Sequence, residues 1–278
     1  STVTNNQYNA IIYGGMIHFS ASNGTIEKSI FSNNSIHLIH SFDQLTAQFF
    51  GGSINLLSSN ITFENDIFSD NIVNSDITIT SEEINNFGGC LYLEKSNATF
   101  LLCLFTDNKF TINIDIAQHC LNGGLISLLS SEAYFTSCIF SNKTSNMIAG
   151  AGNVIKGLEI YLKSSQSSFT NCSFANNLNT LKSFFSSVEL NGLFYFEISN
   201  SSFDDCKVID NNNNLYPDLS FSVVNGGLFS LFESNVEFNS IFISNNSIQT
   251  VSYYFDVFGL CFYSLSSNLN FSSIVFLN

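Results

Sequence analysis

Two sets of residues in this 278-residue chain have the type and the spacing to do chemistry. The first is nine asparagines in Asn-x-Ser/Thr sequences: Asn23, Asn33, Asn60, Asn97, Asn142, Asn171, Asn200, Asn245 and Asn270. Each could accept an N-linked glycan on its side-chain nitrogen. The second is Cys103, Cys138, Cys172 and Cys206, which follow one another at intervals of 35, 34 and 34 residues. Such a column reads first as an inward stack of small apolar fillers. Disulfides between neighbours would need a geometry that register-matched parallel strands rarely offer, and a straight ladder brings together two sulfurs rather than a zinc tetrahedron. Cys90 and Cys261 occupy a different position, and with Cys120 the total is seven, so at least one thiol is left free or bonds outside this segment.

Other polar constellations are weaker. Asp70 and Asp107 share one repeat position, with Asp210 further along, and two stacked carboxylates could hold Ca²⁺; solvated turn residues are the plainer reading. His37, His40 and Asp43 form a loop cluster without supporting partners, and His18 and His119 suggest no role, so no metal site is assigned. Polysaccharide lysis wants a strong base, and glycoside hydrolysis wants two carboxylates at fixed separation. The chain has no Arg, its Lys residues read as scattered among exposed turns, and the adjacent pairs Asp204-Asp205 and Glu82-Glu83 would point to opposite faces of a strand. No repeat breaks the pattern to install a polar cluster. The expectation is no catalytic residue and no enzyme.

The elements that carry these residues recur. With the second residue of each Gly pair as origin, the pattern restarts at Gly15, Gly52, Gly89, Gly124, Leu158, Gly192, Gly227 and Leu260, at spacings of 37, 37, 35, 34, 34, 35 and 33. Two and four residues on stand apolar side chains, as in Leu91 and Leu93, with a solvent-tolerant residue such as His18, Asn55 or Tyr92 between them; this is a short strand with one buried face. A Ser/Asn turn leads to a second strand with Phe63, Phe100, Phe135, Phe169, Phe203, Phe238 and Phe271 eleven after the origin. Five residues later comes a second aromatic column, and three beyond that Asn34, Asn71, Asn108, Lys143, Asn177, Asn211 and Asn246. The connection from there to the next Gly pair varies and has room for a third strand.

Like strands at like points of each repeat are satisfied by stacking in parallel, copy on copy. The expected fold is all-β, a right-handed parallel β-helix (β-solenoid) of about eight coils of 33–37 residues, one domain over 1–278 and a rod of roughly 38 Å. Gly51-Gly52-Ser53-Ile54 with Phe68-Ser69-Asp70-Asn71, and Gly123-Gly124-Leu125-Ile126 with Phe140, resemble the GGxI and FxxN motifs of polymorphic outer-membrane-protein repeats, within the pectin-lyase-like β-helices. The third motif position departs from that family's Ala, being Met16, Ser53, Cys90, Leu125, Glu159, Leu193, Leu228 or Cys261. The resemblance implies surface-exposed adhesins and large extracellular proteins.

Only 11% of residues are charged, against about a quarter in ordinary soluble proteins, and the formal net charge is −14 with eight Lys as the basic residues. That balance disfavours nucleic acid, whose phosphates need clustered Lys and Arg. No apolar run is long enough for a transmembrane helix, and the chain reads as a processed or partial piece of something longer. Asn23, Asn60, Asn97 and Asn200 lie eight after their origins, and Asn33, Asn142 and Asn245 eighteen after, so glycans would form rows. The expected function is a secreted or cell-surface structural glycoprotein, a rod stacking head-to-tail with copies of itself or with neighbouring repeats. The alternatives are an adhesin-like ectodomain binding a glycan or protein ligand, and a polysaccharide-active enzyme. No cofactor is expected besides N-linked glycans.

Overall fold

Alternation of inward and outward side chains, interrupted every few residues by a tight corner, folds each repeat into five short strands rather than the two or three that its motifs mark. The computed structural model describes residues 2–4, 10–13, 17–42, 47–50, 53–79, 84–87, 90–114, 119–149, 153–183, 188–217, 221–250, 254–259 and 261–277. In one coil the strands are Leu91–Glu94, Asn97–Leu101, Leu104–Thr106, Lys109–Ile114 and His119–Asn122. Each pairs in parallel with its equivalents on either side, so Leu91 lies between Ile54 and Ile126, and Phe100 between Phe63 and Phe135. Five parallel sheets of eight strands result, here named in chain order the opening, aromatic, short, long and closing sheets. The chain is an all-β parallel solenoid with no helix among the described residues. Two strands of each eight are terminal, so about six coils, rather than the eight counted from the sequence, are enclosed on both sides.

Three corners per coil are made by single residues in the left-handed region. The first column runs Ala21, Ser58, Lys95, Ser130, Ser164, Ile198, Glu233, Ser266; the second includes Asn65, Leu102 and Asn171; the third includes Asn33, Asp70, Asp107 and Asn142. Non-glycine residues resist this conformation, and the residue after each corner offsets part of the cost. After the first corner stands a serine whose hydroxyl accepts the main-chain N–H of the preceding coil's serine, as from Ser59 to Ser96 at 3.0 Å, and donates to the carbonyl two residues back. This serine ladder is continuous from Ser22 to Ser267. After the third corner stands the Asn of F-x-x-N, whose amide bridges to the coil before it in the same manner. Corner groups that would otherwise be buried without partners are thereby satisfied.

Inside, the two expected aromatic columns stack ring on ring, Phe63, Phe100, Phe135 and Phe169 at 4.8 Å steps, and meet each other edge to face, as Phe100 does Phe105 at 5.9 Å. Offset and T-shaped contacts suit the ring quadrupole.

One expectation about the opening strand is corrected. Its middle residues, read as solvent-tolerant, are buried: Asn55, Tyr92, Ser127, Tyr161 and Tyr195. The closing strand leads through the glycines into the opening one, and at this corner Lys156, at the end of a closing strand, reaches the outer face of the opening sheet and sits 5.4 Å over the Tyr195 ring. Gly123, at φ 74°, has no room for a Cβ: one would lie 2.1 Å from the Ile126 carbonyl oxygen and 3.1 Å from Tyr161 Cβ.

Candidate functional site

All nine asparagines of the glycan-acceptor sequences are exposed. Asn60 and Asn97 open strands of the aromatic sheet, and Thr62 and Thr99 follow two residues later on the same outward face, since strand side chains alternate. Asn33, Asn142 and Asn245 sit on the third corner, and Asn171 on the second, each at positive φ with its side chain outward. By contrast Asn71, Asn108, Asn177, Asn179, Asn211 and Asn213 are buried and engaged in ladders.

The four column cysteines follow the second corner and point inward, buried and free of disulfides. Their thiols also lie near carbonyl oxygens of the preceding coil, as Cys138 does to Phe100 at 3.4 Å. The same column begins with Ser29 and Asp66; Asp66 is wholly buried, accepts the Ser29 N–H at 2.7 Å through Oδ1, and leaves Oδ2 without a partner. Sequence reasoning missed that carboxylate, although its place fourteen residues after Gly52 aligns it with the thiols.

Asp70 and Asp107 stand exposed on adjacent third corners, and no group of three or more metal-ligating His, Cys, Asp or Glu occurs among the described residues. The side chains of His37, His40, His119 and Cys120, together with Asp43, Glu82 and Glu83, lie outside the described residues. His18 shares a hydrogen bond with Asn55 Oδ1 at 3.1 Å. Asp204 and Asp205 are both exposed rather than on opposite faces, because Asp205 belongs to a corner and not to the strand.

The sequence reading also held that no coil installs a polar cluster and that the lysines lie on exposed turns. The structure corrects both. Lys143 replaces the ladder asparagine of its coil and runs inward, where its Nζ lies 3.1 Å from Glu159 Oε1 and donates to the Leu158 carbonyl at 2.6 Å. Glu159 fills the third motif position, which is Cys90, Leu125 and Leu193 in neighbouring coils. Its Oε1 also accepts from Asn179 Nδ2 at 3.1 Å. The inward column of the long sheet turns polar at the same level, running Val73, Phe110, Ser145, Asn179, Asn213, Ile248. Lys143, Glu159 and Asn179 are 3%, 0% and 2% exposed, and Glu159 Oε2 and Asn179 Oδ1 have no hydrogen-bond partner. Burial draws the Lys143 amine below its ordinary pKa despite the nearby carboxylate. Gly124 leaves space for this amine, since a Cβ there would lie 3.2 Å from Nζ and 2.2 Å from the Leu158 oxygen.

No protein-family model, curated protein or solved structure matches this chain.

A second ionic group lies on the outside. Glu197 receives Lys163 at 2.9 Å, Lys156 at 3.3 Å and the Tyr161 hydroxyl at 3.3 Å. Partial burial would raise its pKa, but the two ammonium groups outweigh that and hold it low. Lys156 comes from the closing sheet and Glu197 from the opening sheet, so the group clasps the two together across the concave corner. On the aromatic sheet an open depression is lined by Tyr134, Gln166, Ser168, Asn200, Ser202 and Glu237. No helix among the described residues is long and apolar enough to cross a membrane.

Proposed function

We propose that this chain is a structural or surface glycoprotein of the extracellular space, a stiff solenoid rod whose outer face carries rows of N-linked glycans. The observation that carries this reading is the sorting of asparagines: every acceptor asparagine faces solvent, while those buried in ladders lie outside acceptor sequences. Right-handed winding and kinship with polymorphic outer-membrane-protein repeats belong to the same proposal, resting on the GGxI and FxxN motifs. Glycosite mapping of native material tests it, with glycosidase release in heavy-oxygen water to mark each occupied asparagine. Nine unmodified asparagines would sink it.

Head-to-tail stacking extends this reading. On the last coil Phe271 and Phe276 remain about half exposed, and the Ser267 hydroxyl turns back to the Leu265 carbonyl. A coil of the same type, from a second copy or from neighbouring repeats, would continue both the aromatic columns and the serine ladder. Filaments under negative stain that shorten when Phe271 is replaced by Asp are the expected result; isolated rods at high concentration would count against it.

The adhesin-like alternative is favoured only by the depression beside Tyr134, an exposed ring set among hydroxyl and amide groups, as glycan recognition uses. On that reading Tyr134→Ala abolishes surface binding and leaves the rod intact.

A further inference from the structure

Three departures from the repeat meet inside the rod. Lysine replaces asparagine at 143, glutamate replaces an apolar or small residue at 159, and asparagine replaces the apolar residues of the outer coils at 179. A polar group is costly in such a core unless fully paired, and here two oxygens remain unpaired. A requirement for stability alone would be met by the ladder asparagine at 143 and by the apolar residues that most other coils place in the columns of 159 and 179.

What the three groups share is one oxygen. Glu159 Oε1 lies 3.1 Å from the Lys143 amine and 3.1 Å from the Asn179 amide nitrogen. A nucleophile, a carboxamide and a carboxylate able to carry protons between them are therefore enclosed together, with water excluded. From this geometry we infer that Lys143 and Asn179 join in an intramolecular amide bond, with Glu159 as the proton carrier.

The reaction needs no oxidant and no co-reactant. The Lys143 ammonium gives a proton to Glu159 and attacks Asn179 Cγ as a neutral amine, and the Asn179 Oδ1 takes up charge in the tetrahedral intermediate. Nζ then loses a second proton, the Cγ–Nδ2 bond breaks, and the former amide nitrogen leaves with both protons as ammonium. Glu159 carries them and returns to the carboxylate. The lowered proton affinity that burial imposes on Lys143 favours the nucleophilic form, and enclosure replaces a bimolecular encounter by a held geometry. The product removes the buried charge of the lysine and ties two successive coils, since Thr144, the residue after Lys143, pairs with Leu178, the residue before Asn179.

Peptide mapping of the folded full chain tests the inference. The expected product of digestion is one branched peptide containing Lys143 and Asn179, short by one ammonia and uncut after Lys143. Linear, unmodified peptides for both residues in the folded wild type would overturn it. Glu159→Gln is expected to abolish the branched peptide while circular dichroism still shows the sheet; a crosslink formed in that variant at wild-type yield removes Glu159 from its assigned role. Should Glu159→Gln not fold, Asn179→Asp decides: the same attack then expels water, so the deficit must change from ammonia to water. A deficit that stays at ammonia would identify a different acceptor and overturn the assignment.

Discussion

The main-chain N–H of Asn71 donates to the side-chain oxygen of Asn108, one coil further on, at 3.1 Å, and Asn108 Nδ2 returns a bond to the Phe68 carbonyl at 2.8 Å. Asn108→Ala removes an acceptor and a donor at once and leaves the buried Asn71 N–H without its partner. A loss of about 1–3 kcal/mol is expected, with the variant still folded. The urea midpoint measures it; an unchanged midpoint would mean that water substitutes for the ladder.

Ile198 holds a φ of 52° and is about half exposed. A β-branched residue is the least suited to that conformation, which costs an L-residue roughly 1–2 kcal/mol. Asparagine tolerates it. Ile198→Asn is thus expected to stabilise the rod by about 1 kcal/mol, seen as a higher melting temperature. A lower one would show that the exposed side chain contributes packing that outweighs its strain.

The buried carboxylate in the thiol column predicts a pH dependence. Burial raises the Asp66 pKa above the usual 3.8, and the Ser29 and Glu64 main-chain bonds offset this only in part. A raised folded value means that the native state holds the proton more tightly than the unfolded chain does. The contribution is complete below the unfolded value and is lost as pH rises through the folded one. Asp66→Asn keeps the acceptor for Ser29 and cannot ionise. It should be more stable than wild type at neutral pH, with the gap closing as pH falls toward 3.8. Parallel stability curves for the two proteins would refute this.

Thiol accessibility follows from the corners. The preceding sulfur, with burial beside it, pushes Cys138 and Cys172 up to about 12, burial takes Cys90 to about 11, and the neighbouring Cys138 draws Cys103 below its ordinary value, so access rather than proton affinity sets the order of reaction. The column thiols are wholly buried. In the native protein iodoacetamide should leave Cys103, Cys138, Cys172 and Cys206 unmodified, and all four become reactive on unfolding in urea. Modification of any column thiol in the native protein at its rate in urea would contradict the inward stack.

Glycan occupancy should be uneven if the rod is glycosylated. Asn23, Asn60 and Asn97 are register partners on successive coils, whereas Asn200 lies between Gln166 and Asn235, which are not acceptors. Coils about 4.8 Å apart leave little room for sugars on three successive rungs. Site-resolved mass spectrometry is expected to find Asn60, the middle of the three, less occupied than Asn200. Full occupancy of the whole row would exclude steric competition.

Much of this architecture was legible in the residues. The Gly pairs, the two phenylalanine columns and F-x-x-N keep their types from coil to coil because each occupies a position with one steric solution. The long and closing strands read only as room for a third strand because their inward positions have none: Phe110 and Ile112 in one coil become Asn179 and Leu181 two coils later. Burial on both faces of the opening strand could not be read from alternation, which reports one face only and is blind to what packs on the other. Lys143 and Glu159 each appeared as a lone substitution. Only the path of the chain, which brings the residue after the third corner beside the residue after the Gly pair, joins them.

The exchange at Lys143 also has a mechanical consequence. Hydrogen bonds between coils run along the rod axis, so an axial pull loads all the bonds of one junction together and successive junctions in series. Lysine has no acceptor atom in its side chain, so Lys143 cannot receive the Asn108 N–H as Asn108 receives that of Asn71. Nor does its amine replace the bond that Asn108 Nδ2 returns to Phe68, since it donates to Leu158 and Glu159 instead. The junction between those two coils holds two ladder bonds fewer than the one before it, and under tension the rod would part there first.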